Sequence, residues 1–230
     1  MKLGAAALKL PAAKMPVLDH LSSSDYEHVY EPSDDTFLLV DVLAAETEEL
    51  QRRQPAVCLE IGSGSGAVIT HLASLLPNAA MLACDVNRAA LVATAVTAAA
   101  NGCRVATVQT DLLAALRPGC IDVLIFNPPY VPTPDDELAE AVRAADISAA
   151  WAGGERGRRV LDRLLPVLGP ALAPGGLFYL LGVAENDPRE IAEYLLTQHG
   201  FTSKLVGERR AQNERLFVLR FEKAPSKLQS

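Results

Sequence analysis

From residue 56 onward, short apolar runs alternate with longer amphipathic runs, and this alternation constrains the fold more than any other feature of the sequence. Short apolar runs predict strands, and amphipathic runs of helical length between them predict helices. Strands are predicted for AVCLEI, AAMLACDV, RVATVQTD, IDVLIFNPP, LFYLLGV, FTSKLVGE and RLFVLRFE. Strands that alternate with helices imply a mostly parallel sheet covered by helices on both faces, and the last two strands imply a C-terminal antiparallel hairpin.

Helix ends and domain boundaries follow from residues that interrupt the pattern. The run GAVITHLASLLP ends at Pro77, the Ala-rich run RAALVATAVTAAANG ends at Asn101 and Gly102, and we expect the helix in ERGRRVLDRLLPVLGPALAPGG to break near Pro166. A further helix is predicted for DPREIAEYLLTQHG. We expect residues 1–24 to be a mobile N-terminal tail, 25–223 a single domain and 224–230 a C-terminal tail.

Charge and cysteine content narrow the classes of function. The 28 acidic and 21 basic residues give a formal net charge of -7, so nothing attracts the whole chain to nucleic acid. The four cysteines show neither a disulfide framework nor the Cys/His spacing of a metal site, so we expect a reduced compartment and no metal. The cytoplasm is the expected location, with the nucleus as a second one, and no apolar run approaches the roughly 18–20 residues of a membrane span.

A glycine-rich loop, LEIGSGSG, follows the first predicted strand. Gly62, Gly64 and Gly66 allow a tight turn and a close approach of the backbone to a ligand, but their spacing differs from the dinucleotide-binding G-x-G-x-x-G. Glu60 directly precedes the loop and would repel a pyrophosphate. The loop therefore favours a ligand that is cationic or rich in hydroxyl and amino donors. A plain tight turn is the alternative interpretation.

Two further acids follow the next two strands. Asp85 ends the second strand, where a carboxylate can accept hydrogen bonds from both hydroxyls of a ribose. Asp111 ends the third strand and can accept from an exocyclic amino group such as that of adenine. Each acid could instead cap the helix that follows it. Glu60, Asp85 and Asp111 together predict a nucleoside pocket without a phosphate site.

The fourth strand runs into Asn127-Pro128-Pro129-Tyr130, a sequence that can hold a planar amino group. The Asn127 side-chain oxygen can accept one N–H of such a group, and the Pro128 carbonyl can accept the other. Neither proline has an N–H that would compete for these acceptors, and the fixed φ angles limit their movement. The Tyr130 ring can pack against the planar acceptor. An abrupt loop without chemistry is the alternative.

These motifs resemble a known family. LEIGSGSG, the acid at the end of the second strand, TDLL and FNPPY are similar to the class I S-adenosylmethionine-dependent methyltransferases with a Rossmann-like fold. They resemble more narrowly the HemK/PrmC group, which methylates the glutamine amide of translation release factors. YEPSDDTFLL and AAWAGGERG resemble the eukaryotic and archaeal-type members. The resemblance extends from about Tyr26 to Lys223.

The resemblance implies a cofactor, a site and a partner. It implies S-adenosylmethionine as methyl donor, a class 1 release factor with a Gly-Gly-Gln motif as substrate, and a small zinc-binding activator as partner. We expect the activator at the edge strand 104–109 and an obligate or near-obligate heterodimer, because an edge that carries Val105 and Val108 would favour aggregation if left bare. The implied cofactor-binding residues are Thr36, Glu60, Gly62, Gly64, Asp85, Asp111, Leu112 and Asn127. The implied catalytic and substrate-binding residues are Asn127, Pro128, Pro129 and Tyr130, with Trp151 as a pocket wall, a loop anchor or a core residue.

The motif does not select the methyl acceptor by itself. Adenine N6 and guanine N2 are also planar conjugated amino groups, so a DNA or RNA methyltransferase is the main alternative. Such enzymes usually add a basic target-recognition region, and the best basic patch here is the cluster of arginines at 156, 158, 159 and 163. Protein lysine (histone) methylation fits less well because lysine must first lose a proton. An inactive methyltransferase-fold scaffold is a third alternative.

Overall fold

The computed structural model describes residues 10, 12–134, 151–211 and 214–225. Two helices lead into an alternating series of strands and helices that ends in a hairpin. In chain order the elements are α1 (Asp34–Ala45), α2 (Thr47–Arg53), β1 (Val57–Ile61), α3 (Ala67–Leu75), β2 (Ala80–Asp85), α4 (Arg88–Ala100), β3 (Ala106–Gln109), β4 (Ile121–Phe126), α5 (Arg159–Ala171), β5 (Leu172–Val183), α6 (Pro188–His199), β6 (Phe201–Ala211) and β7 (Glu214–Lys223).

The strands form one seven-stranded sheet with the order β3-β2-β1-β4-β5-β7-β6. Strands β1 to β5 pair in parallel, whereas β7 runs antiparallel to both β5 and β6. The predicted fold class is therefore confirmed. The chain moves outward from β1 in one direction through β2 and β3, then returns to place β4 on the other side of β1. A crevice at the carboxyl ends of the strands is expected at this switch point.

Successive side chains of a strand point to opposite faces, so the apolar central strands give the sheet two hydrophobic faces. In β4, Val123 and Ile125 belong to the core with α1 and α3, whereas Leu124 and Phe126 belong to the core with α5 and α6. Helix α3 also contacts α4 on its own face of the sheet. With both faces covered, the central strands are apolar throughout, which is the pattern expected of parallel strands.

The predicted break near Pro166 is wrong, because α5 runs from Arg159 to Ala171 and contains both Pro166 and Pro170. Both prolines lie on the exposed face of α5, where water can satisfy the carbonyl groups that lose their helical partners. On the opposite face, Leu161 and Leu164 are buried in the core and hold the helix in place.

The described part of the predicted tail contacts the domain. Ala13 N donates to Asp41 Oδ1 at 2.6 Å, and Val17 exchanges two hydrogen bonds with the Asn101 side chain at 2.8 and 2.9 Å. The tail boundary at residue 24 stays a prediction. None of the helices in the described ranges is long and apolar enough to cross a membrane.

Candidate active site

A cavity of about 700 Å³ opens at the carboxyl ends of β1, β2, β3 and β4. Every residue that the sequence singled out for cofactor or substrate lies in its wall, although the residues come from distant parts of the chain. These are Thr36, Glu60, Gly62, Gly64, Asp85, Asp111, Leu112, Asn127, Pro128, Pro129, Tyr130 and Trp151. The structure thus brings the whole predicted set together, and the role of each residue stays a prediction.

The glycine-rich loop is fixed by close backbone packing. Gly62 N donates to Cys84 O at 2.7 Å, which ties the loop to the end of β2. Gly66 has a φ of +77°, and a Cβ placed there would lie 2.6 Å from the Thr94 Cα of α4. Glycine is therefore required by both the backbone conformation and the lack of space. The loop backbone is held in place from two sides.

Glu60 is a buried acid in the cavity wall, with only 2% of its surface exposed. One carboxylate oxygen accepts a hydrogen bond from Ile69 N at 3.0 Å. Burial raises the pKa of the Glu60 carboxyl well above its ordinary value, and the nearby charge of Asp85 raises it further. A ligand that donates hydrogen bonds to this carboxylate would relieve the cost of its burial.

Asp85 lies at the end of β2 and accepts hydrogen bonds from Asn87 N at 2.8 Å and Gly64 N at 3.3 Å. Burial raises the pKa of the Asp85 carboxyl above its ordinary value. The cap of α4 is Asn87, whose side chain accepts from Ala89 N, so the alternative that Asp85 is the cap is wrong. Asp85 keeps lone pairs available to the cavity, as a ribose-binding acid requires.

Asp111 lines the same cavity but is half exposed and forms an ion pair with Arg163 of α5. The arginine partly neutralises the acid that the sequence predicted to accept from an amino group. Leu112, the next residue, has a φ of +49°, which is unusual for a side chain of its size. This end of the pocket is therefore less acidic than the end that holds Glu60 and Asp85.

Sequence reasoning missed Asp35, which is only 3% exposed and lies at the centre of the site. Its Oδ2 accepts from Asn127 Nδ2 at 3.0 Å and from the Tyr130 hydroxyl at 3.4 Å, and its Oδ1 accepts from Thr36 N at 2.6 Å. Two features of the sequence indicate Asp35. A buried Asn127 amide needs an acceptor, and Asp35 directly precedes Thr36, which the resemblance assigns to the cofactor site.

Asp35 fixes the orientation of the Asn127 amide. A carboxylate only accepts hydrogen bonds, so Asn127 must turn its NH₂ group toward Asp35. The Asn127 Oδ1 is then buried without a hydrogen-bond partner among the described residues. Unpaired buried acceptors are costly in folded proteins and point to a missing donor. Asn127 therefore offers one acceptor to a ligand in the cavity.

Two phenols, Tyr30 and Tyr130, interact with Asp35 in the same cavity wall and stay protonated at physiological pH. Burial raises the pKa of Tyr130 far above its ordinary value, and the charge of Asp35 adds to the effect. The pKa of Tyr30 is raised for the same two reasons. Neither phenol is available as a base near neutral pH.

Trp151 forms part of the pocket wall and is not a core residue, because 41% of its side chain is exposed and it faces the cavity. Its carbonyl accepts from Val131 N at 3.1 Å, which attaches its segment to the residue after Tyr130. The sequence allowed Trp151 to be a pocket wall, a loop anchor or a core residue, and its position in the structure favours the pocket wall.

Arginines of the cluster at 156, 158, 159 and 163 form ion pairs with acidic side chains. Arg156 pairs with Glu190 at 2.7 Å, and Arg158 is 5% exposed and pairs with Asp162 at 2.7 Å. Together with the pairing of Arg163 described above, these contacts neutralise three of the four arginines. The cluster is therefore not a free basic patch for a nucleic acid backbone.

Comparison with known proteins identifies the class of the chain. The methyltransferase small domain family matches residues 34–149. Methyltransferase HEMK2 of Mus musculus is 43% identical over 218 residues, which cover 93% of this chain and 99% of that protein. The eRF1 methyltransferase catalytic subunit mtq2 of Schizosaccharomyces pombe is 37% identical over 220 residues, which cover 89% of this chain and 94% of that protein.

A solved structure agrees with these relatives. The E. cuniculi Mtq2-Trm112 complex, described as responsible for methylation of the eRF1 translation termination factor, matches with a TM-score of 0.63 and 28% identity. The match covers 86% of this chain and 99% of that chain. The chain therefore belongs to the methyltransferase small domain family and, within it, to the group that contains the HEMK2 and Mtq2 methyltransferases.

Proposed function

We propose that this methyltransferase transfers a methyl group from S-adenosylmethionine to the side-chain amide nitrogen (N5) of the glutamine in the Gly-Gly-Gln motif of a class 1 translation release factor. The observation that carries the proposal is the buried Oδ1 of Asn127, which has no hydrogen-bond partner among the described residues and belongs to an amide that Asp35 holds through its NH₂ group. HEMK2 and mtq2 are relatives over most of the chain, and mtq2 is named for its action on eRF1.

The pocket residues fit this cofactor. Glu60, Asp85, Asp111 and Leu112 line one cavity. We expect Asp85 to accept from the ribose hydroxyls and Asp111 to accept from the amino group of the base. Acidic groups at the mouth of the glycine-rich loop suit a ligand that carries a positive sulfonium and no phosphate. When bound, the cofactor supplies an electrophilic methyl group, and the protein residues hold the acceptor in line with it.

A glutamine amide suits the acceptor end of the site. Its nitrogen is a poor nucleophile because the lone pair is delocalised into the carbonyl, and no group here can deprotonate it near neutral pH. Asn127 Oδ1 can accept one N–H and the Pro128 carbonyl the other, which stabilises the positive charge that develops on the nitrogen. Tyr130 and Trp151 provide walls for the planar group.

An activator subunit fits the edge of the sheet beside α4. Among the described strands β3 lies at one edge of the sheet, and a groove of about 350 Å³ lies between it and α4. Val92 and Val96 of α4 are exposed there, and an apolar surface beside an open strand edge favours association. The E. cuniculi Mtq2 structure is a complex with Trm112. We assign a small zinc-binding activator to the edge at 104–109.

A nucleic acid substrate is less well supported. The net charge of -7 and the pairing of Arg156, Arg158 and Arg163 with acids disfavour binding of a phosphate backbone. Lysine methylation would require a base for the ammonium group, and both phenols of the site stay protonated. All four cysteines carry free thiols, and we propose the cytoplasm as the main location, with the nucleus as a second one.

The proposal is tested by methyl transfer from labelled S-adenosylmethionine. The chain, co-expressed with its activator, is incubated separately with a class 1 release factor, DNA, RNA and histone. We expect transfer to the release factor and none after its Gly-Gly-Gln glutamine is changed to alanine. Transfer to nucleic acid or histone without transfer to the release factor would overturn the assignment.

A further inference from the structure

Asn186 is a buried residue that the proposed chemistry does not use. It follows β5, is 2% exposed and lies outside the wall of the cavity. Its Oδ1 accepts from Val183 N at 2.8 Å. Its Nδ2 donates to Tyr130 O at 2.9 Å and to Arg156 O at 2.9 Å. One side chain thus joins the end of β5, the Asn-Pro-Pro-Tyr segment and the segment around Arg156.

The two segments that Asn186 joins also pack directly against each other. Gly153 N donates to Val131 O at 2.8 Å, and a Cβ on Gly153 would lie 2.6 Å from Pro129 O. A Cβ on Gly157 would overlap the Tyr130 carbonyl oxygen. The Pro129 carbonyl therefore packs against the backbone of Gly153, and the Tyr130 carbonyl packs against the backbone of Gly157. Neither contact leaves space for a side chain at the glycine.

Ion pairs attach the segment around Arg156 to the N-terminal end of α6. Arg156 pairs with Asp187 at 3.3 Å and Glu190 at 2.7 Å, and the buried Arg158 pairs with Glu190 at 3.2 Å. Asp187 also caps α6 by accepting from Glu190 N. The segment that contacts Tyr130 is therefore anchored to a helix of the domain core.

We propose that Asn186 is a positioning residue for methyl transfer, an inference that rests on the proposed function. Asp35 holds the Asn127 end of the Asn-Pro-Pro-Tyr segment, and Asn186 holds its Tyr130 end. Holding both ends fixes the acceptor oxygen of Asn127 relative to the cavity. Trp151 is hydrogen-bonded to Val131, the residue after Tyr130, so a shift of the Tyr130 end would also move Trp151.

An amide is required at position 186 because both its donor and its acceptor are used. Asn186→Asp keeps the shape and still accepts from Val183 N, but it loses the donors to Tyr130 O and Arg156 O and puts oxygen against oxygen. Asn186→Asp therefore removes the hydrogen bonds that support the Asn-Pro-Pro-Tyr segment and hardly changes the volume of the side chain.

The test measures turnover per cofactor-binding site in the complex with the activator. We expect Asn186→Asp to lower kcat by about 100-fold, as small displacements of catalytic groups do, with cofactor affinity and the KM for the release factor unchanged. A merely structural role would reduce the number of binding sites and the Tm but leave kcat per site intact.

A glycine pair supplies the matched control. Gly157→Ala and Gly175→Ala both force alanine into a positive φ, but only the Cβ at 157 meets the Tyr130 carbonyl. At 175, no atom of the described residues lies within 4 Å of the added Cβ. We expect Gly157→Ala to lower kcat and Gly175→Ala to keep it. If Asn186→Asp does not fold, the comparison of Gly157→Ala with Gly175→Ala decides the question.

Unchanged kcat per site in both Asn186→Asp and Gly157→Ala would overturn the inference. So would a loss explained entirely by weaker cofactor binding. Failure of the proposed function is distinguishable, because it appears in the wild-type complex as methylation of a different acceptor. The ratio of variant to wild-type kcat on that acceptor still tests Asn186.

Discussion

At the scale of single residues, Asn127 has one polar group bound and one left open. Its NH₂ group binds Asp35, and its oxygen is buried without a partner in the described parts of the chain. An asparagine with a purely structural role would be expected to satisfy both groups. The unpaired oxygen therefore favours a substrate-binding role for Asn127 over the interpretation of the segment as a loop without chemistry.

Asn127→Ala should lower turnover by roughly 10²–10³-fold, the effect of losing one preorganised group that stabilises transition-state charge. Cofactor binding should stay largely intact. Steady-state kinetics and calorimetry with S-adenosylmethionine measure the two quantities, and Asn101→Ala, at an asparagine on the C-terminal end of α4, serves as a control that keeps turnover. Unchanged turnover in Asn127→Ala would refute its proposed role.

Asp85→Ala should weaken cofactor binding by about 1.5–3 kcal/mol for each hydrogen bond lost to the charged group. Its carboxylate already accepts from Asn87 N and Gly64 N, so the variant also loosens the loop that approaches the cofactor. Calorimetric titration measures the change. Equal affinity in variant and wild type would remove the assignment of Asp85 to the ribose.

Glu60→Gln should stabilise the cofactor-free protein at neutral pH. Burial raises the folded-state pKa of Glu60 above the ordinary value of 4.5, so wild-type stability is fully present below pH 4.5 and declines as the pH rises toward the folded-state pKa. The variant removes that decline, and the two proteins should converge below pH 4.5. Urea denaturation at a series of pH values measures this, and a larger difference at acidic pH would contradict it.

The sequence supports some of these residue roles better than others. Glu60, Asp85 and Asn127 are recognisable because each directly follows or ends an apolar strand, so parallel pairing brings them to one edge. Asp35 and Asn186 lie outside those strand ends, and their importance comes from contacts with residues 92 and 56 positions away. Contacts over such separations depend on the tertiary fold and leave no local pattern.

At the scale of elements, the central strands β1 and β4 were predictable because burial on both faces makes each of them a nearly continuous apolar run. Helix α1 was missed for a related reason. Most of its residues from Asp35 to Leu43 are buried, so its sequence lacks the polar face that marks an amphipathic helix. Tertiary packing on several sides removes the periodicity from which helices are recognised.

Pro166→Ala should increase the free energy of unfolding by up to about 3 kcal/mol, the difference between proline and alanine inside a helix. Pro166 lies in the interior of α5 on its exposed face, so alanine adds a backbone hydrogen bond without disturbing the core. Chemical denaturation measures the gain, and turnover should not change. A loss of stability would mean that the proline ring itself contributes to packing.

At the scale of the whole molecule, two surfaces differ in character. Near the outer face of α5 the arginines at 156, 158 and 163 are paired with acids, so their charge is largely cancelled. Beside β3, the apolar residues Val92 and Val96 of α4 are exposed next to the edge of the sheet. Apolar surface of this kind marks a protein interface more readily than a nucleic acid interface.

Val92→Glu should disrupt the heterodimer while the fold persists. Val92 is 56% exposed beside β3, so a charge there costs little in the free chain but must be desolvated on binding. Leu196→Glu on α6, where the leucine is 55% exposed, is the matched control and should still bind the activator. Co-purification and size-exclusion chromatography measure association. Equal binding by both variants would contradict the assigned interface, and a wild-type chain that is fully soluble and active alone would contradict the obligate heterodimer.

Mass-spectrometric mapping of the methylated atom is the sharpest test of the proposed function. A class 1 release factor is incubated with S-adenosylmethionine and the chain in complex with its activator, then digested and fragmented. We predict a single methyl group on the side chain of the Gly-Gly-Gln glutamine, and its loss with Asn127→Ala. A methyl group on another residue, or an unmodified release factor beside methylated nucleic acid, would contradict the account.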